Sequence, residues 1–297
     1  MNNILITGGT GRVGCALQTQ LTAAGVSFTA PDRRTLNLCD RAAVNRAVAA
    51  LRPKLIINAA AYTDVDTAEY HAAEAEAVNH HGAAALAGAA EQYGAVMLHL
   101  STDYVFDGRL QCPYRETDPP RPVNIYGRSK LVGERAVQTL CRRSVIVRTA
   151  WLFGGGGGDF VQTVLRLAQR QAVLPMVAHQ YGSPTRVGSV AAALLQIGKQ
   201  MLAHPECGGG LYHFAGYPHI SRLEWTRQIV AAARQQGLLT RLPEIVPVAA
   251  VPARAVRPPD SRLDCGAVYR RFGIRADDWQ TALLPENHTS PSPAAVF

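Results

Sequence analysis

The chain predicts an α/β fold, a doubly wound parallel sheet with a smaller α+β portion, and three observations carry that prediction. Its first half alternates short apolar, β-branched runs with helix-patterned stretches. A glycine-rich turn stands directly after the first of those runs. The alternation then loosens beyond Trp151. Near-continuous apolar strands belong to sheets buried on both faces, which are parallel and need right-handed helical crossovers. At 297 residues the chain is long enough for one large or two unequal domains with a substantial core.

In chain order, NILIT (3–7) is the first strand, followed by glycines and a helix through GCALQTQLTAAG. VSFTA (26–30) is the second strand. DRAAVNRAVAALRP (40–53) is a helix closed by Pro53, which lacks the N–H that a further turn would use. KLIINAAA (54–61) is apolar and too short for a helix, so it reads as the third strand. A long alanine-rich helix is expected over roughly 66–93, stopped near Gly94. AVMLHLST (95–102) and SVIVRTAWLF (144–153) are the fourth and fifth strands.

After GGGGG (154–158), a flexible loop, come helices in DFVQTVLRLAQR and VGSVAAALLQIGKQML (187–202), a short strand in GLYHFAG (210–216), and a helix in RLEWTRQIVAAARQQG. These read as a smaller α+β portion capping the carboxyl edge of the sheet. The expected division is a nicotinamide-dinucleotide domain over 1–150 and a mainly substrate-binding portion over 151–284. Segments near 180–205 and 245–265 are candidates to return to the first domain, and 285–297 is expected to be a flexible tail.

Composition excludes several classes. With 47% hydrophobic and 18% charged residues the chain is neither disordered nor fibrous. No apolar run approaches the roughly 18 residues of a membrane span. MNNILITGG enters a strand with no basic leader or cleavage site, so a cytoplasmic location is expected. The six cysteines form no CxxC pair and no Cys/His set at zinc spacing, which predicts free thiols and no metal site. The net charge of +8 is dispersed, without a basic helix or aromatic-interleaved patch, so nucleic acid is not an expected partner.

The chemistry gathers at strand ends. TGGTGRVG (7–14) spaces Gly8, Gly11 and Gly14 as G-x-x-G-x-x-G between a strand and a helix. Such a turn lets pyrophosphate approach the backbone and the positive end of the helix. Asp32, Arg33 and Arg34 follow the second strand; an acid there grips ribose hydroxyls, and arginine accommodates a 2′-phosphate. NAAA (58–61) ends the third strand, and HLSTDYVFDG places Ser101, Thr102 and Asp103 at the end of the fourth. Finally, NIYGRSKLVGER (124–135) holds Tyr126 and Lys130 four apart, on one helix face. Reducing a ketone with a nicotinamide hydride needs a proton for the developing alkoxide. A tyrosine of ordinary pKa near ~10 suits that task better when a lysine ammonium lowers it.

TGGTGRVG, NAAA, STDYVFDG and YGRSK together resemble the extended short-chain dehydrogenase/reductase family, over residues 1 to about 155. The resemblance implies a Rossmann-type sheet and a catalytic set of Thr102, Tyr126 and Lys130, with Tyr126 as proton donor and Lys130 reaching the nicotinamide ribose. It implies cofactor contacts from Gly8, Thr10, Gly11, Arg12, Val13, Gly14, Asp32, Arg33, Asn37, Leu38, Ala59, Ala60 and Ala61, besides Tyr126 and Lys130. The cofactor is NADPH or NADH, with the two arginines favouring NADPH.

STDYVFDG, PYRETDPPRPVNIYGRSKLVGE, RTAWLFG, HQYGSPT and RPPDSRLD carry the similarity across most of 1–284, toward the branch that reduces the C4 ketone of dTDP-4-keto-6-deoxy-L-sugars to products such as dTDP-L-rhamnose. In that branch Asp103, Tyr104 and Trp151 would hold the sugar nucleotide, with QYGSPT (180–185) near the site. The chain departs from the pattern at Asn37, where an acidic residue is frequent near the adenine. It departs again at Ala16 and Gly188, where some members place glutamates for magnesium at a dimer interface. A monomer or weak homodimer without bridging magnesium is therefore expected. The alternatives are a reductase of another dTDP-4-keto-deoxysugar, a non-catalytic NADP-binding regulatory subunit, and an epimerase or dehydratase. The last would carry a second carboxylate beside Thr102-Asp103.

Overall fold

A computed structural model describes residues 3–156 and 158–284; the tail expected over 285–297 lies outside the described residues. The core is a six-stranded parallel sheet. Its strands are β1 (Ile4–Thr7), β2 (Phe28–Thr29), β3 (Leu55–Asn58), β4 (Val96–Thr102), β5 (Ser144–Thr149) and, much later, β10 (Gly210–His213), in the order β10-β5-β4-β3-β1-β2. The chain leaves β1 for β2 on one side and returns to β3 on the other. That reversal opens a crevice beyond the carboxyl ends of β1 and β3, where ligands bind in such sheets.

Helices cover both faces. On one lie α1 (Arg12–Ala23) and α8 (Val187–Ala203), packing Val13, Leu17, Val190 and Leu194 onto Ile4, Ile6, Leu55 and Val145. On the other lie α2 (Arg41–Leu51), α5 (Ala83–Tyr93) and α6 (Ile125–Leu140), which bury Val44, Leu86 and Val137 over Leu5, Ile56 and Met97. Local chemistry sets their ends. Asp40 caps α2 by accepting from the Ala43 N–H at 2.9 Å, Asn124 caps α6 from Gly127 at 2.7 Å, and α5 stops at Gly94 with φ 72°.

A second core unites Trp151, Phe153, Trp225 and Trp279 with α7 (Phe160–Arg170) and α9 (Arg222–Gln235). Three strand pairs border it: β6 (Leu152–Phe153) with β9 (Thr185–Arg186), β7 (Val173–Val177) with β12 (Glu244–Val248), and β8 (Tyr181–Gly182) with β11 (Ile220–Ser221). The short helix α10 (Gly266–Phe272) closes against β10.

Four sequence expectations need correction. The helix expected over 66–93 is broken into α3 (Val65–Ala68), α4 (Ala72–Glu76), a π-helical turn over Ala77–Gly82, and α5. The widened turn has a cause: buried Asn79 points inward to bond the Tyr62 backbone at 2.8 and 3.0 Å and Ser129 Oγ at 2.9 Å. The fifth strand does not run to 153, because Trp151 adopts φ 41° and sends Leu152–Phe153 to a different partner. The strand read at 26–30 is only the two-residue edge Phe28–Thr29. The strand read at 210–216 as part of the smaller portion is β10, paired in parallel with β5 in the main sheet.

Candidate active site

The crevice at the switch point is a cavity of about 600 Å³. Its floor is the turn after β1. Gly8 has φ 74°, a left-handed conformation that glycine adopts without penalty, and a Cβ added there would meet the Ala60 backbone nitrogen at 2.5 Å. The glycine turn and the end of β3 are thus pressed together with no side chain between them, a cradle sized for a pyrophosphate at the N-terminus of α1. Beneath it, Thr7 Oγ1 donates to Asn58 Oδ1 at 2.8 Å, and Asn58 Nδ2 meets His99 Nδ1 at 3.0 Å. Burial, then the nearby Lys130, pushes the His99 pKa well down, so that imidazole is neutral.

Gly8, Thr10, Gly11, Arg12, Val13, Asp32, Arg33, Asn37, Leu38, Ala59, Ala60, Ala61, Thr102, Asp103, Tyr104, Tyr126, Lys130 and Trp151 all line this one crevice. Gly14 does not; it stands behind the turn against Gly8 and Gly9, where it permits the tight packing of α1. Arg12 also donates to the Leu152 carbonyl at 2.9 Å, pinning the lip of the crevice. Asp32 is exposed, and its carboxylate accepts from the Thr35 N–H at 2.8 Å, a bond that lowers its pKa.

The candidate catalytic pair is carried by α6. Asn124 starts the helix, and its Nδ2 donates to the Val256 carbonyl at 2.8 Å. At Gly127 the helix lies so close to the preceding segment that a Cβ would sit 2.1 Å from the Tyr104 carbonyl oxygen. That approach sets the Tyr126 ring edge-on to Tyr104, centroids 5.9 Å apart. Lys130, one turn on, is buried and donates from Nζ to the Leu100 carbonyl at 2.7 Å.

Here the expected electrostatics is reversed. Burial raises the Tyr126 pKa, outweighing the hydrogen bond with Thr102 that lowers it, and Lys130 is not among the causes. Lys130 itself is lowered by burial to about 8, with Glu134 pulling it back up. Glu134 is committed elsewhere, in a buried two-point pair with Arg148 at 2.6 and 2.8 Å. In the protein as it stands Tyr126 is a phenol that keeps its proton, which is the state a proton donor needs.

Thr102 Oγ1 donates to Asp103 at 3.1 Å, and Ser261 Oγ donates to the other carboxylate oxygen at 2.5 Å. Burial raises the Asp103 pKa to about 6 despite both bonds. Trp151 forms the far wall. The Arg222 guanidinium stacks 3.5 Å over its indole, and Gly182 leaves the space behind it.

Motif reasoning missed Arg222, Thr149 and Ser261. Arg222 and Thr149 line the crevice, and Ser261 holds Asp103 from 158 residues away. Only RPPDSRLD signalled this last contact, without showing where it goes. The hydroxyls of Ser101 and Thr149 and the indole N–H of Trp151 are buried at the crevice with no hydrogen-bond partner among the described residues. Buried polar atoms are rarely left unpaired, so these donors are available to a ligand. With the glycine cradle they fit a nicotinamide dinucleotide and a polyhydroxy substrate.

Comparison with known proteins gives a family and relatives of one description. The family described as RmlD substrate binding domain matches residues 1–286. A dTDP-4-dehydrorhamnose reductase of Aggregatibacter actinomycetemcomitans is 40% identical over 286 residues, 95% of this chain and 97% of that one. The enzyme of the same description from Salmonella typhimurium is 37% identical over 284 residues, 94% of each chain. A crystal structure of dTDP-4-dehydrorhamnose reductase from Bacillus anthracis in complex with NADP superposes with a TM-score of 0.86 at 32% identity, covering 95% of this chain and 98% of that one.

Proposed function

The chain belongs to the family of the RmlD substrate binding domain, and on that premise we propose that it reduces the C4 ketone of a dTDP-4-keto-6-deoxy-L-sugar with NADPH, turning dTDP-4-dehydro-L-rhamnose into dTDP-L-rhamnose. One observation carries the reading: Thr102, Tyr126 and Lys130 line the same crevice as the glycine cradle, in a chain 40% identical to a reductase of that name.

The bound cofactor supplies the hydride. The chain's own residues do the rest. Gly8, Thr10, Gly11 and Val13 receive the pyrophosphate, Asp32, Arg33, Asn37 and Leu38 the adenosine end, and Ala59–Ala61 the middle of the dinucleotide. Tyr126 gives its phenolic proton to the C4 oxygen as that oxygen gains charge. Thr102 hydrogen-bonds the same oxygen and fixes its direction. Lys130, one helical turn from Tyr126, would hold the nicotinamide ribose. Asp103, Tyr104 and Trp151 hold the sugar nucleotide. The division into a cofactor domain over 1–150 and a mainly substrate-binding portion over 151–284 belongs to the same reading, with β10 and α8 returning to the cofactor side.

The test is absorbance at 340 nm with NADPH or NADH and the keto sugar generated in situ, followed by identification of the product sugar. The reading expects keto-sugar-dependent oxidation of NADPH and a dTDP-L-rhamnose product. Another 6-deoxyhexose as product would move the assignment to a sister reductase. Binding of NADPH with no consumption would replace it with the regulatory-subunit reading.

A further inference from the structure

The π-helical turn over Ala77–Gly82 has two sides. Inward, Val78 lines the crevice and Asn79 ties the turn to Tyr62 and to Ser129 on the catalytic helix. Outward, it collects Glu76, His80 and His81, whose ligand atoms all lie within 4.8 Å of one another. Glu76 Oε1 is 3.4 Å from His80 Nδ1, and the two imidazole rings stand 4.3 Å apart, tilted by 31°.

The geometry follows from the backbone. In an α-helix, at 3.6 residues per turn, residue i is overlain by i+4, and i+5 has rotated away. Closure by i→i+5 bonds widens the turn, so that i+4 and i+5 both flank residue i. Two consecutive histidines are thereby brought against one carboxylate. The sequence shows only the i,i+4 pair Glu76 and His80; an unbroken α-helix would not bring His81 to Glu76.

We propose that Glu76, His80 and His81 form a surface site for one divalent transition-metal ion of the zinc type, which clamps the π turn from outside. Zinc takes nitrogen ligands at about 2.0–2.1 Å, so tetrahedral donors stand about 3.3 Å apart, close to the Glu76–His80 separation already present. Small side-chain rotations bring in His81, and water completes the shell. Two imidazoles with one carboxylate suit Zn²⁺, Co²⁺ or Ni²⁺, whereas Mg²⁺ takes oxygen donors and keeps its own waters. The cleft beside α5 that His81 lines leaves that side of the site open to solvent. The site is separate from the reductase chemistry, and its test does not depend on it.

The test is calorimetric titration of the whole chain with ZnCl₂, NiCl₂ and MgCl₂, repeated on the His80→Ala/His81→Ala double variant and on Glu76→Gln. The expected result is one Zn²⁺ per chain, with Ni²⁺ competing and Mg²⁺ silent. Affinity falls at least ten-fold in the double variant and measurably in Glu76→Gln, whose isosteric change leaves the turn folded. Failure of the native chain to take up Zn²⁺ would overturn the proposal. So would equal uptake by native chain and variants, which would assign the ion to the exposed thiols of Cys15, Cys39 or Cys112.

Discussion

At the scale of single residues, burial moves the titration of the site's groups toward neutral pH. Asp103 is the clearest case: its carboxyl, buried against Thr102 and Ser261, titrates at about 6 rather than at 3.8. A folded-state pKa above the unfolded one costs stability as pH rises, because the unfolded chain ionises first. Asp103→Asn should therefore raise thermal stability above pH 6, by on the order of 3 kcal/mol for a shift from 3.8 to about 6, and the gain should vanish below pH 4. A melt series from pH 4 to 8 reads this, and a gain that is the same at every pH would refute the electrostatic account. Burial shapes activity too. The kcat/KM for NADPH, which reports the free enzyme, should fall through about pH 8 as Lys130 loses its proton. An alkaline limb near 10 instead would mean that Lys130 is not desolvated as the structure has it.

Elements position these residues, and here the strap formed by residues 254–257, which bonds Asp66 and Asn124, matters. The backbone N–H groups of Arg254 and Ala255 donate to Asp66 Oδ1 at 3.0 and 2.9 Å, and Arg257 pairs with its other oxygen at 2.7 Å. These bonds hold the Asp66 pKa at about 2, so the latch stays charged in any ordinary buffer. Arg257 also faces Tyr104, and Val256 is tied to the N-cap of α6. Asp66→Ala should loosen the strap and raise the KM for the sugar nucleotide several-fold, leaving NADPH affinity within about two-fold. Equal loss of both affinities would mean that the latch supports the whole crevice.

Much of this level was legible beforehand. Glycine and proline marked helix ends at Gly94 and Pro53, and apolar runs marked β1, β3, β4 and β5 because buried parallel strands carry little else. What escaped had tertiary causes. The break at Trp151 comes from the indole lying over Gly182, and the π turn from Asn79 finding partners in two other elements. Neither leaves a local pattern. Arg222, Thr149 and Ser261 escaped for the same reason, since each acts across the fold rather than within a motif.

For the whole molecule, topology converts scattered motifs into one site. The reversal between β2 and β3 opens the crevice, β4 and β5 deliver Thr102 and Thr149 to its edge side by side, and α6 lays Tyr126 and Lys130 across it. β10 shows the limit of reading along the chain: a short strand amid the smaller portion completes the main sheet because its alternate partner groups were left open along β5. With Ala16 and Gly188 at the positions where the resemblance implies glutamates for magnesium in some members, the association state is expected not to respond to magnesium. Light-scattering mass should be the same in MgCl₂ and in EDTA, and a mass that halves on chelation would contradict this.

The central claim is that Tyr126 gives the proton that completes ketone reduction. Single-turnover oxidation of NADPH preloaded on native chain and on Tyr126→Phe, mixed with the keto sugar and followed at 340 nm, tests it most directly. The account predicts a rate lower by about 10²–10⁴-fold in the variant, the range expected of a lost general acid, with NADPH binding unchanged. A variant that oxidises NADPH at the native rate would contradict it.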